Sequence, residues 1–137
     1  MVKHKAQSAT IGIAVVEHEG RYLVGTRGNE GPLAGLAEFP GGKCGPEEVP
    51  AECARRECRE ETGLDVEPVQ LLLRRPFTYP HGTVDLHFWL CRPARPGDVA
   101  ADHHGFRWVA AADLDALRFP SANKPVIEKL VGNIGEW

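Results

Sequence analysis

The chain has no apolar run of the roughly 18 residues that a membrane-crossing helix requires. It has no basic excess: 16 Lys and Arg stand against 19 Asp and Glu, a net charge of -3 with neutral histidine. A general binder of polymeric nucleic acid is therefore not expected. Cysteine is sparse, at Cys44, Cys53, Cys58 and Cys91, and no pair has C-x-x-C spacing. These read as reduced thiols of a cytoplasmic protein, with a zinc site as the alternative. The first ten residues carry charges but lead into no apolar core of a secretory signal. No internal repeat is present. What remains is ordinary globular composition, 42% apolar and 26% charged over 137 residues. That length suits one domain over 1–137 and buries about two-thirds of its unfolded surface without staples.

The pattern of elements is mixed. Residues 9–17 alternate and are rich in β-branched side chains, so a strand is expected there. A turn over 18–20 and a return strand over 21–26 follow. Residues 27–42 are dense in glycine, with Pro32 and Pro40, and read as loop. The stretch 50–62 lacks internal glycine and reads as a helix. Pro50 suits its first turn and Gly63 the left-handed residue past its end, while Val49 is a poor cap. Glu52–Arg56 and Arg56–Glu60 are four-residue pairs that support it. Strands are expected over 69–77 and 83–91, joined by a turn at 80–82. In the second of these Val84, Leu86, Phe88 and Leu90 share a face. Residues 92–105 read as exposed loop, 106–109 as a short strand, 111–117 as a turn or short helix, and 123–132 as a closing helix. Strands interleaved with two helices imply a mixed sheet covered by helices.

One feature resists a bland reading. On a helix, Glu57, Glu60 and Glu61 project as one stripe of like charge, and each such pair costs a few tenths of a kcal/mol. Arg55, Arg56 and Arg59 offset part of this from neighbouring faces, as on any solvated helix. Hard oxygen donors at this density also suit Mg²⁺ or Mn²⁺, which would remove the repulsion and organise phosphate oxygens and water. Just upstream, Gly41 and Gly42 allow either a tight turn or a close approach of backbone to a ligand.

Gly42, five residues, Glu48, seven residues, then Arg56-Glu57-Cys58-Arg59-Glu60-Glu61-Thr62-Gly63-Leu64 resembles the box of the Nudix family at every fixed position. Cys58 stands in an aliphatic slot, a mild departure, since a buried thiol behaves as a small apolar group. The resemblance implies an α/β (α+β) fold, the Nudix-type α/β/α sandwich with a mixed sheet and a loop–helix–loop. It implies that Glu57, Glu60 and Glu61 bind Mg²⁺ or Mn²⁺ with a carbonyl near Gly41 or Gly42. Arg56 would orient the glutamates and Glu48 would hold the loop. The family cleaves nucleoside diphosphates linked to a further group, so a small nucleotide substrate and hydrolysis at phosphorus are expected.

Outside the box, Glu38–Lys43 (EFPGGK) and Phe119–Leu130 (FPSANKPVIEKL) are similar to the MutT-like branch, which acts on 8-oxo-dGTP; Leu86–Leu90 and Gly105–Trp108 fall at comparable places. The resemblance implies that Asn123 hydrogen-bonds the modified guanine, since an amide both donates and accepts; read alone, Asn123 suits a helix N-cap. Arg27 occupies the place of a nucleotide-contacting arginine, or is a solvated loop residue. Phe39 lines the base pocket or simply packs. Asp102 falls where that branch has a further ligand or base, with His103 in reserve, unless 102–104 is a polar loop. The expected activity is a Mg²⁺-dependent nucleoside triphosphate pyrophosphohydrolase, releasing nucleoside monophosphate and pyrophosphate. A CTP- or dCTP-type or broad diphosphatase, and a non-catalytic nucleotide sensor, are the alternatives. The chain is expected as a monomer or homodimer.

Overall fold

The computed structural model describes residues 7–28, 31, 33–80 and 82–132. The segment before residue 7, parts of the 27–42 loop and residue 81 of the expected 80–82 turn lie outside the described residues. The strands are β1 (Gln7–His18), β2 (Arg21–Thr26), β3 (Ala37–Glu38), β4 (Gly41–Lys43), β5 (Val66–Tyr79), β6 (Gly82–Pro93), β7 (Asp102–His103) and β8 (Phe106–Ala110). The helices are α1 (Pro50–Thr62) and α2 (Lys124–Gly132), with short 3-10 turns at Pro96–Asp98, Ala111–Ala116 and Ser121–Asn123. Among the described residues no helix is long and apolar enough to cross a membrane.

The eight strands form one mixed sheet, whose main path runs β5-β6-β1-β2-β8-β7; β3 joins β2 and β4 joins β1. β1 and β6 run parallel from Gln7↔Gly82 to Val16↔Cys91, and the other pairings are antiparallel. Alternation along the central strands feeds two cores. Val15, Leu86, Phe88 and Leu90 face one core, closed by Leu114 and by Val126, Ile127 and Leu130 of α2. Ala14, Val16, Leu23 and Cys91 face the other, closed by Ala54 and Cys58 of α1 and by Leu64. A sheet with one helical layer on each face is the expected α/β/α sandwich.

Helix α1 begins and ends where its punctuation indicates. Pro50 occupies the first turn and Val49 supplies no side-chain cap; its carbonyl instead accepts from the Cys53 N–H at 2.9 Å. Gly63 adopts φ +77° and its N–H closes on the Arg59 carbonyl at 2.9 Å, a conformation a β-carbon would strain. Cys58 is fully buried, as its aliphatic slot requires.

Three expectations need correction. The glycine-rich stretch 27–42 is not all loop: β3 lies within it and β4 begins in it, because neighbouring strands satisfy backbone groups that local sequence leaves unmarked. Glu52 pairs with Arg55 at 3.8 Å rather than with Arg56, because Arg56 is drawn to Glu48, Glu57 and Glu60. The stretch 92–105 is not uniformly exposed: it contains β7, and His103 is buried.

Candidate active site

Arg56 is the hub of the box. Its Nε and Nη2 donate to the two oxygens of Glu48 at 2.7 and 2.9 Å, a fork-on-carboxylate pair. Its Nη1 donates to Glu57 at 3.1 Å and to Glu60 at 3.0 Å, and Nη2 also reaches the Lys43 carbonyl at 3.2 Å. Glu48 is held to about pKa 2 by these Arg56 hydrogen bonds and by the Gly45 N–H. The arginine therefore fastens the loop to the helix and brings two glutamates to one nitrogen.

Glu57 and Glu61 converge on the backbone of β4. A β-carbon on Gly42 would lie 2.4 Å from the Glu57 carboxyl, so only glycine admits that side chain so close. Glu61 accepts the Gly41 N–H at 3.3 Å. Burial pushes the Glu61 carboxyl up to about 7; the Gly41 N–H opposes this, and the charges of Glu57 and Glu38 add to it. Glu38 is itself raised by burial, with Arg27 opposing. Half-buried Glu57 and Glu61, with exposed Glu60 tied to Glu57 through Arg56, offer oxygen donors beside a backbone that only glycine leaves open, and these fit a hard divalent cation. Glu57, Glu60 and Glu61 would hold it, with a carbonyl of Gly41 or Gly42.

The same glycines floor a cleft of about 350 Å³. Arg27, Glu38, Phe39 and Asn123 line it, with Ile13 and Leu86 among its apolar walls. Arg27 Nη1 donates to Glu38 at 3.2 Å across its edge. Phe39 is buried, stacks on Phe119 with ring centres 4.9 Å apart, and borders the cleft. Asn123 sits in the 3-10 turn before α2, and among the described residues no hydrogen bond occupies its side-chain amide. It is thus not spent as a helix cap.

Glu38 was not singled out from the sequence. Its signal was weak: one carboxylate before Phe39, eleven residues from Arg27, meaningful only once β3 brings the two together.

Asp102 is not joined to the glutamates by any hydrogen bond or ion pair among the described residues. Its Oδ1 accepts the Gly105 N–H at 2.7 Å within the β7–β8 hairpin, and Arg107 lies 3.6 Å from its Oδ2. His103 has only 7% of its surface exposed, and its Nε2 accepts the Ala100 N–H at 2.9 Å. In the neutral ring Nδ1 then carries the proton, so neither nitrogen offers a free lone pair to a water. The reserve role for His103 as a base is corrected accordingly.

The raised Glu61 carboxyl has a measurable consequence. In the metal-free protein Glu61 keeps a proton up to about pH 7, against a reference value of 4.5. Between these values the folded state binds more protons than the unfolded one, so this residue's contribution to stability declines as pH rises. Thermal unfolding without divalent cations should show wild type losing Tm relative to Glu61→Gln from about pH 5 to about pH 7. Mg²⁺ should restore more stability at pH 8 than at pH 5. Parallel pH profiles for the two proteins would count against the assignment.

The family model for the NUDIX domain matches residues 12–129. The chain belongs to the Nudix family of hydrolases, whose members generally use a divalent metal. Over 121 residues it is 30% identical to the 8-oxo-dGTP diphosphatase of Escherichia coli (strain K12), covering 88% of this chain and 94% of that protein. It is 28% identical over 117 residues to the CTP pyrophosphohydrolase of the same organism, covering 84% and 85%. Among solved structures it resembles the MutT protein of Methanosarcina mazei Go1, with TM-score 0.76 and 20% identity over 98% of this chain and 100% of that one.

Proposed function

We propose that this chain is a Mg²⁺-dependent nucleoside triphosphate pyrophosphohydrolase acting on oxidised purine nucleotides of the 8-oxo-dGTP type. One observation carries this reading: the glutamate cluster and the nucleotide-sized cleft share Gly41 and Gly42. A triphosphate laid over the glycines would meet the carboxylate-held cation, while its base lies between Phe39 and Asn123. A divalent cation held by Glu57, Glu60 and Glu61 would supply charge neutralisation for the phosphate oxygens and activation of the attacking water. Water displaces pyrophosphate at phosphorus, leaving nucleoside monophosphate. Arg56 and Glu48 position the glutamates; Arg27, which donates to Glu38 at the edge of the cleft, would release it to meet the nucleotide. The amide of Asn123 can donate and accept at the base edge. Asp102 has no part in this scheme, since its carboxylate caps the hairpin turn. Mn²⁺ suits the same oxygen donors. The intact glutamates argue against a non-catalytic sensor.

A substrate panel of 8-oxo-dGTP, dGTP, dCTP, CTP and ADP-ribose, with product analysis, tests the reading. The 8-oxo-dGTP substrate should show the highest kcat/KM and give monophosphate with pyrophosphate. Preference for CTP or dCTP would support the second reading, which the resemblance to a CTP pyrophosphohydrolase favours. Equal rates would defeat a dedicated sanitising role. Asn123→Ala should lower kcat/KM on the preferred nucleotide by about tenfold to a hundredfold, the worth of one or two hydrogen bonds to a buried base. Its rate on a poor substrate should change far less; equal losses on all nucleotides would remove Asn123 from base recognition.

A further inference from the structure

Where β4 hands the chain to α1, Cys44, Glu48 and Cys53 face one another, with one ligand atom of each within 4.8 Å of the other two. They come from three successive pieces of chain: the residue after β4, the connecting loop and the first turn of α1. Cys53 is buried and its thiol donates to the Gly42 carbonyl at 3.4 Å, while Cys44 is part-exposed and opens the cluster to solvent. Cys58 and Cys91 are buried in the core beneath α1 and take no part.

We propose that Cys44, Cys53 and Glu48 form a binding site for a thiophilic divalent cation of the Zn²⁺ type, separate from the oxygen-donor site of Glu57, Glu60 and Glu61. A tetrahedral ion with bonds of about 2.3 Å to sulfur sets its ligand atoms about 3.8 Å apart, so the three groups close by about 1 Å or less. Two thiolates and a carboxylate leave one position for water. Soft thiolate donors exclude Mg²⁺, which keeps to oxygen. Binding releases the two thiol protons to solvent and leaves the oxidation state of ion and sulfur unchanged.

The site is coupled to the hydrolytic centre through Glu48. Both Glu48 oxygens are engaged by Arg56. Coordination by a doubly charged ion competes with the guanidinium for at least one of them and weakens that bond, and the same guanidinium holds Glu57 and Glu60. An ion here therefore loosens the glutamates from outside the substrate cleft, and acts as an inhibitor not displaced by substrate. This consequence rests on the hydrolase reading; the ion site itself does not.

Co²⁺ added to the metal-free full chain provides the test. Wild type should develop a near-ultraviolet sulfur-to-cobalt absorption that saturates at one equivalent and survives a large excess of Mg²⁺. Cys44→Ser, a change at a part-exposed position outside the glutamate cluster, should lose most of this absorption. Its Co²⁺ affinity should fall by more than the roughly tenfold to a hundredfold typical of losing an outer-shell partner. Zn²⁺ inhibition of nucleotide turnover should weaken in parallel, with turnover in Mg²⁺ alone unchanged. A cobalt complex without the sulfur band, a band unaltered in a folded Cys44→Ser, or its displacement by Mg²⁺ would each overturn the proposal. If no nucleotide is hydrolysed, the cobalt spectrum still decides the ion site on its own.

Discussion

Glu57→Gln should lower kcat in Mg²⁺ by about a hundredfold or more while leaving the fold intact. Glutamine keeps the shape of the side chain and one acceptor oxygen, so the close contact over Gly42 survives. It removes the negative charge from the middle of the carboxylate cluster, between Glu60 across Arg56 and Glu61 beside Gly41. A factor of a hundred corresponds to about 2.7 kcal/mol of lost transition-state stabilisation, well within what one ligand to a catalytic cation supplies. The Mg²⁺ concentration for half-maximal activity should rise as well. Steady-state kinetics over a Mg²⁺ series, with circular dichroism as the fold control, measures both quantities. Wild-type turnover at ordinary Mg²⁺ would sink the role given to Glu57.

Arg56→Ala is the second change with a large expected effect. One guanidinium makes two bonds to Glu48, one each to Glu57 and Glu60, and one to the Lys43 carbonyl. Its removal leaves the like charges of α1 without their shared counter-ion and unties the loop from the helix. The rate should drop by on the order of a hundredfold, the scale of a catalytic group misplaced by about 1 Å. Tm should also fall, more without Mg²⁺ than with it, because the bound cation takes over part of the charge neutralisation. Arg56→Lys separates charge from geometry: an ammonium is a point charge and cannot hold a carboxylate with a planar fork. The lysine variant should recover stability better than rate. Full activity in Arg56→Lys would show that only the positive charge matters there.

The limits of Arg56 also explain the helix pairing. Glu52 lies one turn before Arg56 and was expected to pair with it. The fork is already filled by Glu48, eight residues away in sequence, so Glu52 settles on Arg55. Sequence spacing identifies which residues share a helix face. It does not rank a helical neighbour against a loop residue that the fold carries to the same nitrogen.

Local chemistry alone determined the helix over 50–62, the glutamate stripe and the alternation of β6. Pro50 fixes its own φ, Gly63 alone tolerates the left-handed φ past the helix end, and spacing along a helix or strand dictates which side chains share a face. It also determined the family, because the box is contiguous. Only the tertiary structure decided the parallel pairing of β1 with β6, the strand content of the glycine-rich stretch, the burial of His103, and the joining of Glu38 to the cleft. It likewise decided that Cys44 and Cys53 meet. Each depends on backbone partners or side chains from distant parts of the chain, and their proximity comes from burying both faces of one sheet, a property of the whole chain that no local stretch encodes.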